Sequence, residues 1–234
     1  MTLHDISNLQ LVFAFIPALL ALVVFYRWRS GGGNAVYALA RMLLQLLVIG
    51  YALAFIFESE TPLVILAVLT VMLVAAAWIS LNSVGAQRGL WLVKAAISIG
   101  LVGLLVLAVV TQLVLNIDPW FAPSYVIPLA GMIFANTMNA VSLAAERFQS
   151  ESARGLNYEE ARRKAFNAAM IPVVNSLFAV GLVSLPGMMT GQILSGVSPL
   201  VAARYQIVVM SMLFGAAALS TAWFLILLRP RLAQ

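Results

Sequence analysis

Pro186, Gly187, Met188, Met189, Thr190, Gly191, Gln192, Gly196 and Pro199 crowd one short stretch of an otherwise apolar chain. Prolines and glycines at that density break a helix between two apolar runs. Lipid offers the freed backbone groups no partners, so such a break survives only against protein or a water-filled cavity. Broken helices of this kind build binding sites and hinges in membrane proteins that move solutes. The stretch therefore reads as a gate or hinge; a kinked helix followed by a surface loop is the competing reading. Met188 and Met189 add thioethers, soft ligands better matched to copper(I) than to ferrous iron. Methionine in such places more often packs or flexes than ligates, so the metal chemistry stays open and no metal site is assigned.

Other polar side chains fall inside apolar runs, where they are costly and usually face protein or a cavity. Arg41 lies early in the second run, one turn before Gln45. A charge at mid-bilayer costs roughly 2.5–3.5 kcal/mol. Snorkelling to the headgroups would remove most of that cost; the other reading turns Arg41 and Gln45 into the bundle. Asn136 and Asn139 share a helix face, with Met132 one turn before. Asn175 and Ser176 follow Pro172, whose missing N–H frees a carbonyl in the preceding turn. Together these groups can line a pathway of amide and carbonyl oxygens. Interhelical hydrogen bonds, worth about 0.6 kcal/mol each, are the plainer explanation.

The elements that would hold these residues are membrane helices. The chain has 234 residues, 63% hydrophobic and 9% charged, with a mean hydropathy of +1.03. A soluble domain is nearer half apolar and a quarter charged. The expected fold is all-α: a polytopic transmembrane bundle forming one domain over 1–234, with about seven spans and a broken or re-entrant segment near 186–199. A span needs about 20 mostly apolar residues. Such runs are read at 9–26, 35–57, 62–81, 90–115, 124–145, 169–185 and 206–228. Thr61-Pro62, Asp118-Pro119 and Ser198-Pro199 each place a capping side chain before a proline suited to the first helical position. The last helix can therefore start near 199. Gly31-Gly32-Gly33 predicts a flexible first connection. Arg27-Trp28-Arg29 follows the first run and no basic segment leads it, so it reads as a retained helix. With no cysteine and a single histidine, His4, thiolate and histidine-cluster metal sites are excluded.

Basic residues in short loops orient a membrane protein. Arg27, Arg29, Arg88 and the cluster Arg147, Arg154, Arg162, Arg163 and Lys164 alternate with loops holding Glu58, Glu60 and Asp118. Arg229 and Arg231 close the chain. This predicts an outside N-terminus and a cytoplasmic C-terminus, with Arg204 alone on the wrong side. The positive-inside bias thereby explains the net charge of +5 better than nucleic acid does. Within 145–168, Gly155 is a candidate C-cap, and Asn157 with Glu160 a candidate capping box for a short new helix. Ala161, Ala165 and Ala168 would give that helix a small apolar face for a partner's groove; a solvated connector is the alternative. The spacing Gly155-x-Asn157-x-x-x-Ala161 recurs as Gly196-x-Ser198-x-x-x-Ala202. Shared helix-capping chemistry accounts for that echo.

The run SLPGMMTGQILSGVSPLVAARYQIVVM from Ser184 resembles the signature of the FetB family, permease subunits of ABC transporters linked to iron export, with plant aluminium-tolerance relatives. Arg41, Gln45, Gly50-Tyr51, IPLAGMIFANTMNAV at 127–141 and Leu219-Ser220-Thr221 extend the resemblance over about 35–222. The resemblance implies a homodimeric permease in a bacterial inner membrane, paired with a separate cytoplasmic ATPase. That partner would use the ATP, and this chain would bind no cofactor. It also implies metal export and gives Asn157, Glu159, Glu160, Arg162 and Arg163 the role of contacting the ATPase. Three positions depart from the pattern: Asn175 where relatives often carry an acid, Phe178 where they carry lysine, and Ala135 where they carry glycine.

No phosphate-binding loop pattern and no Ser/His/Asp constellation is evident in the sequence, so the chain reads as a transport subunit and not an enzyme. The alternative is a stand-alone channel or ion-coupled secondary transporter, which would be expected to hold an ionisable group at mid-membrane. A scaffold with no pathway is the third class.

Overall fold

A computed structural model describes residues 7–58 and 61–229; His4, Glu60 and Arg231 lie outside them. The chain divides into two compact units, 1–59 and 60–234. In the first, α1 (Asn8–Ala14) and α2 (Ile16–Arg27) lead to α3 (Gly32–Phe57). Ser7 opens α1 with a full capping box: its Oγ accepts from the Gln10 N–H, and the Gln10 side chain accepts from the Ser7 N–H. The predicted flexible connection is mostly helical instead. Gly32 and Gly33 already belong to α3, and the Tyr26 ring packs over Gly32, where a Cβ would sit 3.2 Å from it. Most described side chains of α2 and α3 are exposed.

The second unit holds α4 (Pro62–Ser80), α5 (Arg88–Ala108), α6 (Pro123–Ala153), α7 (Tyr158–Ala179), α8 (Gly187–Leu194) and α9 (Pro199–Leu227). A 3-10 turn over Asn82–Gln87 precedes α5, and a π-helical end over Val109–Val114 follows it. α6 is the central helix, packing against α4, α5, α7 and α9. Its buried stripe includes Ile133, Phe134, Thr137, Val141, Ala144 and Ala145. Small residues let backbones approach, as expected where packing rather than water drives helix association. A Cβ at Gly103 would lie 2.9 Å from the Phe134 ring, and one at Gly100 2.8 Å from Leu73. Arg88 anchors the turn before α5. Its guanidinium stacks 3.7 Å from the Trp78 ring and donates to the Trp78 carbonyl at 2.7 Å.

Six helical stretches among the described residues are long and apolar enough to cross a membrane, α6 and α9 the longest single helices among them at 31 and 29 residues. The chain is thus a polytopic helical bundle. The sixth of the seven expected spans, 169–185, is not a separate helix. Its residues 169–179 are the second half of α7, which starts at Tyr158 and ends at Ala179, and 180–185 belong to the loop that follows. The short helix expected before it is the first half of the same rod. Nothing between Asn157 and Val180 stops a helix except Pro172, which α7 accommodates in its interior. Asp118-Pro119 does not begin a helix either. α6 starts at Pro123, which takes the first helical position itself.

Candidate functional site

The expected break at 186–199 is two breaks around a short helix. After α7 the chain closes a tight loop, with the Ser184 N–H donating to the Ala179 carbonyl at 3.1 Å. Pro186 then caps α8 from outside, and the Thr190 hydroxyl donates back to the Pro186 carbonyl at 3.1 Å. α8 ends in a paired closure: Val197 N–H to Gln192 carbonyl and Gly196 N–H to Ile193 carbonyl, both 3.0 Å. Gly196 sits at φ +93°, the left-handed backbone that this closure requires. Ser198 follows at once as the cap of α9, its hydroxyl accepting from the Val201 N–H at 3.4 Å. Gly187 and Gly191 have no atoms within 4 Å of where a Cβ would stand, so packing within this chain does not require glycine at either.

α8 packs on α9 and covers a cavity of about 330 Å³ lined also by α6. Met132 from α6 and Met188 from α8 both line it, as do Gln192, Tyr125 and Tyr205. The Gln192 amide oxygen is buried and finds no donor among the described residues. Met189 and Thr190 are half-buried beside it but do not line the cavity.

The remaining polar residues are scattered. Asn136 is half-buried, and its Oδ1 has no donor among the described residues. Asn139, Asn175 and Ser176 are exposed on the outside of the unit. Ser176 donates to its own helix, at the Val173 carbonyl, 2.7 Å away. These four do not form one internal polar line within a single chain. Phe178 is also exposed, as is Ala135, so the departures at 135, 175 and 178 fall on outward surface. In the first unit Arg41 and Gln45 are exposed. With the Gln45 amide oxygen turned toward Arg41, it accepts from Nε at 3.1 Å and Nη2 at 3.3 Å.

The α6–α7 joint carries the densest cluster of charge, nine of the chain's 21 charged side chains. Leu156 N–H donates to the Glu151 carbonyl at 3.3 Å and Gly155 N–H to the Ser152 carbonyl at 3.0 Å, with Gly155 at φ +85°. The Asn157 side chain accepts from the Glu160 N–H at 2.9 Å. Glu151 is only 1% exposed and meets three cations: Arg147 at 2.6 Å, Lys164 at 3.2 Å and Arg154 at 3.5 Å. The Tyr158 hydroxyl donates to the Leu225 carbonyl at 2.8 Å, tying the start of α7 to the end of α9. Ala161 and Ala165 are fully buried in this chain, so the face expected to meet a partner is already occupied. The outward face is instead a groove of about 560 Å³, rimmed by Glu159, Glu160, Arg162 and Arg163 over Phe166, Leu225 and Ile226. Arg162 and Glu159 pair along that rim.

Sequence reasoning passed over two features. Glu151 was not singled out, although its i−4 and i+3 spacing to Arg147 and Arg154 was a readable sign. Lys94, a cation on α5 within the fourth span, drew no comment.

The model of the uncharacterised protein family UPF0014 matches residues 6–232. The chain is 37% identical to the UPF0014 membrane protein slr1647 of Synechocystis, covering 86% of this chain and 84% of that protein. It is 33% identical to the "probable iron export permease protein FetB" of Escherichia coli, over 94% and 90% of the two chains. Identity to the protein ALUMINUM SENSITIVE 3 of Arabidopsis thaliana is 35%, over 89% and 81%. No solved structure matches. A polytopic helical bundle, similar nearly end to end to a protein named as a permease, belongs to the UPF0014 membrane-protein family.

Proposed function

We propose that this chain, as one permease domain over 1–234, is the membrane-spanning subunit of an ATP-driven ABC transporter that exports a metal ion such as iron. The observation that carries this is the near full-length similarity to the probable iron export permease FetB. A separate cytoplasmic ATPase binds and hydrolyses the ATP, and the transporter pairs two copies of each subunit in the inner membrane, C-terminus inside. The outward placement of Asn139, Asn175 and Ser176 supports the second copy, because polar groups within the membrane normally face protein or a cavity rather than lipid. The ATPase engages the groove at Glu159, Glu160, Arg162 and Arg163. Its closure pushes the α6–α7 joint, which the Glu151 cluster holds as one body. α7 then tilts, and α8 with its flanking turns at 180–186 and 195–198 opens or closes the pathway. Gentle-detergent purification from native membranes tests the reading. A near-stoichiometric ATPase with a phosphate-binding loop supports it. A preparation that carries flux into liposomes with no ATPase overturns it in favour of a stand-alone transporter.

A further inference from the structure

The cavity beneath α8 has a chemistry that bears on the form of its cargo. None of its lining residues is Asp, Glu, Lys, Arg or His. Among the described residues, no group of three His, Cys, Asp or Glu side chains is placed to hold a metal ion. A hydrated iron ion entering here would shed water and gain no opposing charge, an expensive exchange in an apolar site. The two thioethers, Met132 and Met188, are soft donors and a poor substitute for oxygen ligands to iron. What the cavity does offer is neutral hydrogen-bonding groups, Ser124, Tyr125, Gln192 and Tyr205, in a largely apolar shell. The Gln192 oxygen is buried and has no donor among the described residues. Pro128, inside α6, leaves the Ser124 carbonyl without its intrahelical N–H, and both residues line the cavity. A volume of about 330 Å³ falls at the small end of organic-ligand pockets.

We infer that this cavity is the cargo site and takes metal as a charge-neutral organic complex bearing a hydrogen-bond donor, not as the bare cation. The inference rests on the permease reading for the word cargo; the ligand class rests on the cavity alone. α8 covers the complex, Gln192 receives its hydroxyl or N–H, and the methionines bend around its apolar surface.

Two neutral iron(III) complexes of similar size test this. Tris-kojate carries free hydroxymethyl donors; tris-maltolate carries methyl groups, at a different ring position, and no free hydroxyl. Binding of each, and of ferrous sulfate, is measured by equilibrium dialysis against the full chain in lipid nanodiscs, with empty discs subtracted. The expected result is saturable binding of the tris-kojate complex and none of ferrous ion. Gln192→Leu weakens tris-kojate about tenfold, the worth of one lost hydrogen bond, and leaves tris-maltolate unchanged. Val201→Trp, which fills the cavity while keeping Gln192, abolishes both. Saturable ferrous binding lost in Val201→Trp overturns the inference. So does tris-kojate binding that is absent, or indifferent to both variants. The permease reading fails separately, through the absence of an ATPase, whatever the dialysis shows.

Discussion

The chain turns from one helix into the next by the same backbone device at 154–157 and at 195–198. In both, a left-handed glycine closes the first helix, one residue intervenes, and a side-chain oxygen caps the next. In both, the alanine four residues past the cap, Ala161 or Ala202, is fully buried. The surroundings differ. The first joint is clamped by Glu151 among Arg147, Arg154 and Lys164 and by the Tyr158–Leu225 bond. The second has no ion pair among the described residues and stands over a cavity. Local sequence thus makes the turn, while neighbours decide whether it is clamped by charge or left without a clamp.

The largest test of that contrast is Gly187→Leu with Gly191→Leu. Open space surrounds both positions, so folding and assembly should persist. Flux into vesicles should be lost if α8 must move, and normal flux would end the gate reading. Next is Glu151→Gln, which keeps the shape but strands three cations. Its melting temperature in detergent should fall further than that of any other substitution named in this Discussion; an unchanged value would show the first joint is not clamped. Gly155→Ala and Gly196→Ala should each cost about 1 kcal/mol of stability, because their φ values are alike. Only Gly196→Ala should also alter flux, and an equal effect from Gly155→Ala would erase the distinction. The smallest effects belong to the caps. Asn157→Ala should cost about 1 kcal/mol by denaturant titration, and Ser198→Ala about 0.5 kcal/mol, since its bond at 3.4 Å is the longer.

These joints were legible because capping chemistry is local. Gly155, Asn157, Ser198 and Pro199 announce themselves within a few residues, and the recurring spacing is that chemistry seen twice. α7 was not legible as one rod. Its charged first half reads as a short helix of its own and its apolar second half as a separate span, and only Ala161, Ala165 and Ala169 buried along a single line join them. The helix start at Pro123 lost to Asp118-Pro119 because Asp118 is a capping side chain and Ala122, which stands before Pro123, is not. Gly103 against Phe134, the burial of Glu151 and the cavity under α8 depend on neighbours far along the chain, which no short window contains. Met132, Met188 and Gln192 were each singled out by type, but their meeting around one cavity was not foreseeable.

On the proposed reading, the bond from Tyr158 to Leu225 would make α7 a lever with its fulcrum near one end. Its 22 residues give an arm of about 33 Å. Rotation of about 5° about Tyr158 would carry Ala179 sideways by about 3 Å, while the clamped end barely shifts. That is comparable to the width of a small cargo's first contact layer. A modest push beside the fulcrum would therefore arrive at α8 magnified, with no residue of the clamp needing to let go.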